Sequence, residues 1–181
     1  MRQLFISPVY PGAPEETRPD AEQRTYDLLS RLHIPMTRVD HDPAYTMDEC
    51  AAISAVLGTE ICKNLVLTPR NRSAFYLLCL PADKPFSTKV FSKAVGSSRL
   101  SFASGEDMEE LLGVQPGSAS ILSLMNDTEH RVILALDRTV AERETFGCHP
   151  CRNTSSLCLK TSDVLDVFRP YPGHRPTIVD L

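Results

Sequence analysis

The chain has 181 residues, 42% hydrophobic and 23% charged, with a formal net charge of −4. That length fits one globular domain with at most a short appendage, and its apolar content suffices for a real core. No apolar run is long enough to span a bilayer, the opening MRQLFISPVYPGAPEETRPD has no secretory signal, and the net charge is the wrong sign for coating nucleic acid, so a cytoplasmic protein that binds neither membrane nor DNA is expected.

Charge is unevenly spread. Residues 60–100 hold seven Lys or Arg against two acids, whereas residues 101–150 hold three Arg against nine acids. The first segment can meet a small anionic contact, while the second repels an extended duplex. Six cysteines in a chain of this length, with no secretory signal, do not form the disulfide framework of a short secreted domain.

The N-terminal arm, residues 1–19, opens with a short strand at 3–7 and continues as a polar segment punctuated by Pro11, Pro14 and Pro19. A single domain, residues 20–181, then begins with a helix at about 20–33, from the helical spacing of Tyr26, Leu28, Leu29 and Leu32. Thr46 with Glu49 forms a capping box for a second helix ending at Gly58. Strands at 61–68 and 74–80, joined by Pro69-Arg70-Asn71-Arg72, read as a hairpin. Short helices follow at 87–95, closed by Gly96, and from Ser104 with Asp107 to Leu112-Gly113. Strands are expected at 119–124, 132–136 and 156–159, then a helix near 161–168 and a last strand at 177–179. Short helices among mostly hairpin-compatible strands make the fold α+β.

P-loop, dinucleotide-binding, nucleophile-elbow and zinc-protease motifs are absent, which removes the usual sequence support for those enzyme classes. Short polar clusters remain. Lys63 lies in the apolar strand from Ile61 to Leu67, where a cation either meets an anion or snorkels to water at the strand's end. Gly117-Ser118-Ala119-Ser120 after Pro116 is either a plain turn or a loop offering N–H groups to an oxyanion. Cys148-His149-Pro150-Cys151 reads as half a zinc site, a redox pair or unpaired thiols, and unpaired thiols fit best because a regular second pair of ligands is missing.

In order along the chain, Cys62-Lys63-Asn64-Leu65-Val66-Leu67, Ser98-Arg99-Leu100-Ser101-Phe102-Ala103, Gly113-Val114-Gln115-Pro116-Gly117-Ser118, Asn126-Asp127, His149-Pro150 with Asn153-Thr154, and the tail Gly173-His174-Arg175-Pro176-Thr177-Ile178-Val179 resemble the YbaK/prolyl-tRNA synthetase-associated editing domain, in its free-standing alanyl-tRNA(Pro) deacylase branch. The resemblance implies a mixed, largely antiparallel, barrel-like sheet flanked by short helices. It implies an ester hydrolase, needing no cofactor or metal, that removes alanine from mischarged proline tRNA. Its partners would be the aminoacylated 3′ end of tRNA and prolyl-tRNA synthetase. By the resemblance Lys63 anchors the substrate's 3′ end, Asn64 and the Gly117–Ser120 loop line the reacting carbonyl, with Gly117 and Ser118 among the catalytic residues, and His149 shapes the pocket or orients water. Asn64, Tyr45, Thr46, Met47, Ala119, Ser120 and Asn153 contact substrate, and no side chain is assigned as general base. The family loop reads Gly-x-x-x-Pro, whereas Ile121 stands at the fifth position here. Alternatives are a cysteinyl-tRNA(Pro) deacylase and a binding module without catalysis.

Overall fold

The computed structural model of the chain describes residues 4–168 and 173–181. In order these form β1 (Tyr10–Pro11), α1 (Asp20–Arg31), β2 (Thr37–Asp40), α2 (Met47–Leu57), β3 (Lys63–Pro69), β4 (Phe75–Leu80), α3 (Thr88–Ala94), β5 (Leu100–Phe102), α4 (Gly105–Leu112), a 3₁₀ helix (Ile121–Asn126), β6 (Val132–Asp137), α5 (Arg138–Ala141), β7 (Thr145–Cys148), β8 (Ser155–Lys160), a π-helical turn (Asp163–Phe168) and β9 (Thr177–Val179). The helix signals act where the sequence places them. Thr46 and Glu49 make a reciprocal capping box on α2, with left-handed Gly58 at its end, and Ser104 with Asp107 does the same for α4, closed by Gly113.

The strands form two sheets, ordered β1-β2-β8-β7 and β5-β3-β4-β6-β9. Every pairing in the first is antiparallel. In the second, β3 pairs antiparallel with β4 and β5, while β4–β6 and β6–β9 are parallel. The expected hairpin is formed by β3 and β4, and β7 pairs antiparallel with β8 as well, whereas β6 lies parallel to β4 after a long crossover through α3 and α4.

The sheets do not close into a barrel among the described residues. They touch through a parallel bridge between Ile61 and Gly147, reinforced by Cys62 N–H donating to Gly147 O at 2.9 Å. The largest core lies between them and gathers Tyr26 and Leu29 of α1, Leu77, Leu134, Phe146, Leu157 and Leu112 of α4. A second core fills the outer face of the β3–β4–β6 sheet under α3, and a third packs α2 against β2.

Two expected elements differ. Residues 119–124 form no strand: Ser120 Oγ accepts from Leu122 N–H and Ser123 Oγ donates to Ser120 O, local bonds that curl this run into the 3₁₀ helix. Its buried Ile121, Leu122 and Leu124 suit a packed helical turn as well as a buried strand, so the apolar pattern alone does not separate the two. At the N-terminus Ile6 makes only an isolated bridge to His41 and the strand is Tyr10–Pro11, while residues 1–3 lie outside the described residues. The arm lies along β2, with Ser7 N–H on Asp40 O at 2.8 Å, Gly12 N–H on Met36 O at 2.9 Å and Arg18 paired with Asp40 at 2.9 Å.

Candidate active site

The site begins with a gap in a sheet. On its outer edge β3 is held by two main-chain bonds, from Cys62 N–H to Gly147 O and from Ala103 N–H to Val66 O, both 2.9 Å long. Main-chain groups of alternate strand residues point to the same edge, so Asn64 presents its N–H and C=O into the interval between these bonds, where no strand is added. A cavity of about 300 Å³ opens there. Buried Cys62, Val66, Met108 and Ala119 form its apolar wall, His149 and Asn64 are its polar members, and Phe102, Pro116 and Gly117 stand at its exposed rim.

Pro116 and Gly117 shape one side of the mouth. Ser118 N–H donates to Gln115 O at 3.0 Å across them, and Gly117 has φ +86°, the left-handed value that the third position of a type II turn requires. The Ser118 N–H is spent on this turn. Asn64 is secured by its own side chain, whose Nδ2 donates to Cys62 O at 2.9 Å while Oδ1 receives the Cys79 thiol at 3.2 Å.

His149 belongs to a buried chain of bonds. Its Nδ1 lies 2.9 Å from Ser155 O and 3.2 Å from Ser156 Oγ; Ser156 Oγ lies 2.9 Å from His41 Nε2, and His41 Nδ1 lies 2.8 Å from Asp42 O. Carbonyls only accept, so both rings carry their proton on Nδ1. His41 Nε2 must then accept from the Ser156 hydroxyl, which leaves the Ser156 lone pairs for His149 Nδ1–H. The remaining lone pair, on His149 Nε2, has no hydrogen-bond partner among the described residues. Desolvation by burial lowers the His149 pKa to about 4 and lowers that of His41 too, so both rings are neutral near pH 7.

The cysteines behind this wall are thiols. Burial raises Cys62 to about 12 and Cys151 to about 11, and pushes Cys79 and Cys148 up as well, so none is an activated thiolate. All six are unpaired, and Cys151 accepts a hydrogen bond from Thr25 Oγ1 at 3.4 Å.

The residues singled out in the sequence divide among several places. Asn64, Gly117, Ala119 and His149 meet in the cavity just described. Tyr45, Ser118 and Asn153 line a second cavity of about 270 Å³ that shares Pro116 with the first, and there Asn153 clamps Ala44 through Nδ2–H to O at 2.7 Å and Oδ1 from N–H at 3.3 Å. Thr46 caps α2, and the side chain of Met47, the first residue of that helix, lies outside the described residues. Ser120 is fully buried and caps the 3₁₀ helix. Lys63 occupies the opposite face of β3 from Asn64; its Nζ donates to Lys84 O at 3.0 Å, and both lysines border a separate cavity of about 880 Å³ beneath α2. Lys84 is in turn held by fully buried Asp137 at 2.7 Å. Sequence reasoning overlooked Ser156, seven residues beyond His149, and His41, whose bond to Ser156 joins residues 115 positions apart and leaves no local spacing to read.

Comparison with known proteins places this geometry in context. The model of the aminoacyl-tRNA editing domain matches residues 41–167. The prolyl-tRNA editing protein ProX of Acetoanaerobium sticklandii is 30% identical over 150 residues, covering 83% of this chain and 92% of its own. Prolyl-tRNA synthetase associated domain-containing protein 1 of Danio rerio is 30% identical over 169 residues, 92% of this chain and 89% of that one. The fold also matches a crystal structure of a protein proposed to be a trans-editing enzyme for prolyl tRNA synthetase, with a TM-score of 0.66, 16% identity, and coverage of 91% of this chain and 99% of that one.

Proposed function

The chain belongs to the aminoacyl-tRNA editing domain family, and from that premise we propose that it edits mischarged proline tRNA in trans, hydrolysing the ester of alanyl-tRNA(Pro). The observation that carries this reading is the cavity at the break beside β3, which combines a small apolar wall, an open main-chain N–H and a histidine acceptor within about 300 Å³.

Each part has a task in ester hydrolysis. Cys62, Val66, Met108 and Ala119 give a small side chain such as a methyl an apolar surface to contact. The ester carbonyl oxygen, on which negative charge grows as the tetrahedral intermediate forms, lies against the Asn64 N–H and the main chain of Gly117 and Ala119. His149 Nε2 accepts a hydrogen bond from the attacking water and fixes its approach. Its low basicity suits orientation rather than storage of a proton. The water oxygen bonds to the carbonyl carbon, one water proton passes to the ribose oxygen as the bond from that carbon to it breaks, and the other is lost to solvent from the new carboxyl group, releasing alanine and intact tRNA. Lys63, at the far side of β3, serves a phosphate of the 3′ end. The test is a deacylation assay on tRNA(Pro) charged with alanine, cysteine, serine or proline. Rapid release of alanine with proline spared is expected; preferential cleavage of the cysteinyl ester or of correctly charged prolyl-tRNA would overturn this substrate assignment, and no cleavage of any would overturn catalysis.

A further inference from the structure

Phe102 takes no part in the chemistry above, yet the residue is 61% exposed at the rim of the cavity. A lone exposed apolar side chain needs no explanation by itself. This one is different in its support. β5 is a three-residue edge strand, and its Phe102 stands opposite Leu67 of β3, so its side chain emerges on the same face as Leu65 and Lys63. Behind it Phe86 lies with ring centroids 6.1 Å apart, Phe86 in turn contacts fully buried Phe91 at 6.2 Å, and Phe91 packs edge-on against Tyr76 at 5.8 Å. The exposed ring is thus the outer member of a chain of tilted and edge-on aromatic contacts anchored in the core, supported from behind and open in front.

Cations continue this face. Beyond Leu65 lie Lys63 and Lys84, positioned by the Lys63 Nζ–Lys84 O and Lys84–Asp137 bonds. An open aromatic ring followed by ordered lysines matches what an unpaired nucleotide presents, a base with a π-face and a phosphate next to it.

We propose that Phe102 is the stacking platform for the unpaired 3′-terminal adenine of the RNA substrate, beside the phosphate that Lys63 serves in the reading above. This rests on the editing function proposed above: an ester placed in the cavity leaves its ribose at the rim, and the base attached to that ribose is the ligand group nearest Phe102. The ring then contributes to binding the nucleotide and to its orientation, independently of which amino acid the ester carries. Because stacking reads only a π-face, the platform accepts any terminal base and loses its grip on an end that has none.

The experiment uses the full chain and alanylated RNA minihelices ending either in adenosine or in an abasic ribose. Wild type should cleave the adenosine end at least tenfold more efficiently at limiting substrate, and Phe102→Ala should bring that ratio close to one, with Phe102→Trp restoring it. Thermal melting of each variant should match wild type, since the ring is mostly outside the core. A separate readout is quenching of the introduced indole in Phe102→Trp by an unacylated CCA trinucleotide, which reports the platform even if no ester is cleaved and so separates its failure from failure of the editing reading. An unchanged ratio in Phe102→Ala, a wild type indifferent to the missing base, or a Phe102-dependent dimer that the trinucleotide does not disturb would overturn the proposal.

Discussion

Replacing Gly147 by alanine tests the seam on which the active site depends. A Cβ at this position would lie 2.4 Å from Glu60 O, 2.7 Å from Glu60 C and 2.9 Å from Ile61 Cα. All three are main-chain atoms, so no side chain can swing aside. Relieving the shortest approach to 3.4 Å requires β7 and the residues leading into β3 to separate by roughly 1 Å. That opens the Ile61–Gly147 bridge and the Cys62 N–H to Gly147 O bond. Overpacking of this kind costs about 1–3 kcal/mol and a lost internal hydrogen bond about 1 kcal/mol, so a loss of roughly 2–4 kcal/mol is expected. For a chain of this size the melting temperature should fall by roughly 5–15 °C. Gly58→Ala is the control: Gly58 has φ +77° but nothing within 4 Å of its added Cβ, so only the left-handed strain of about 1–2 kcal/mol applies. Urea unfolding of both variants gives the comparison, and deacylation measured well below the melting temperature gives the functional consequence. Cys62 and His149 flank the seam on both sides, so Gly147→Ala should lose activity beyond its loss of folded protein, while Gly58→Ala should not. A Gly147→Ala protein as stable as Gly58→Ala, with wild-type turnover, would refute the reasoning.

Three further outcomes are expected. Lys63→Ala should abolish most single-turnover deacylation while costing about 1 kcal/mol of stability, since it removes one half-buried bond to Lys84 O; full turnover in the folded variant would remove Lys63 from the site. The His149 ring resists protonation in the fold down to about pH 4, against 6.5 when unfolded, so its contribution is intact above pH 6.5 and is lost as pH falls from there to about 4, by at most about 3 kcal/mol; urea unfolding at pH 7.5 and 4.5 should show a shallower pH dependence in His149→Asn than in wild type, and equal dependence would contradict the buried neutral ring. Ala119→Leu should fill the cavity and depress cleavage of alanyl-tRNA(Pro) by an order of magnitude or more with a smaller effect on any glycyl ester, and undiminished alanine release would show that the amino acid lies elsewhere.

Local signals carried much of the architecture. Helices α2, α3 and α4 begin at Thr46, Ser87 and Ser104 because a short hydroxyl side chain satisfies N–H groups three residues on, an interaction contained within one turn of sequence. The β3–β4 hairpin was equally legible, since its register follows from a short turn between two apolar runs. The short polar clusters around Asn64, Gly117 and His149 also marked the stretches of chain that meet in the cavity.

What the sequence could not decide is how faces and distant strands combine. Whether Lys63 and Asn64 share a pocket depends on strand parity relative to the core, and the fold sends Lys63 toward Lys84 and Asn64 toward His149. Residues 119–124, expected as a strand, instead curl into the 3₁₀ helix through local bonds of the Ser120 and Ser123 hydroxyls that the apolar pattern does not reveal. The parallel placement of β6 beside β4, the gap that exposes Asn64, and the path from His149 through Ser156 to His41 all join residues far apart in the chain. Capping and turn chemistry act over a few residues and are therefore written in order, whereas the edge of a strand that remains unpaired, and the ring nitrogen that remains free, are set only when the packed sheets determine which neighbours each group has.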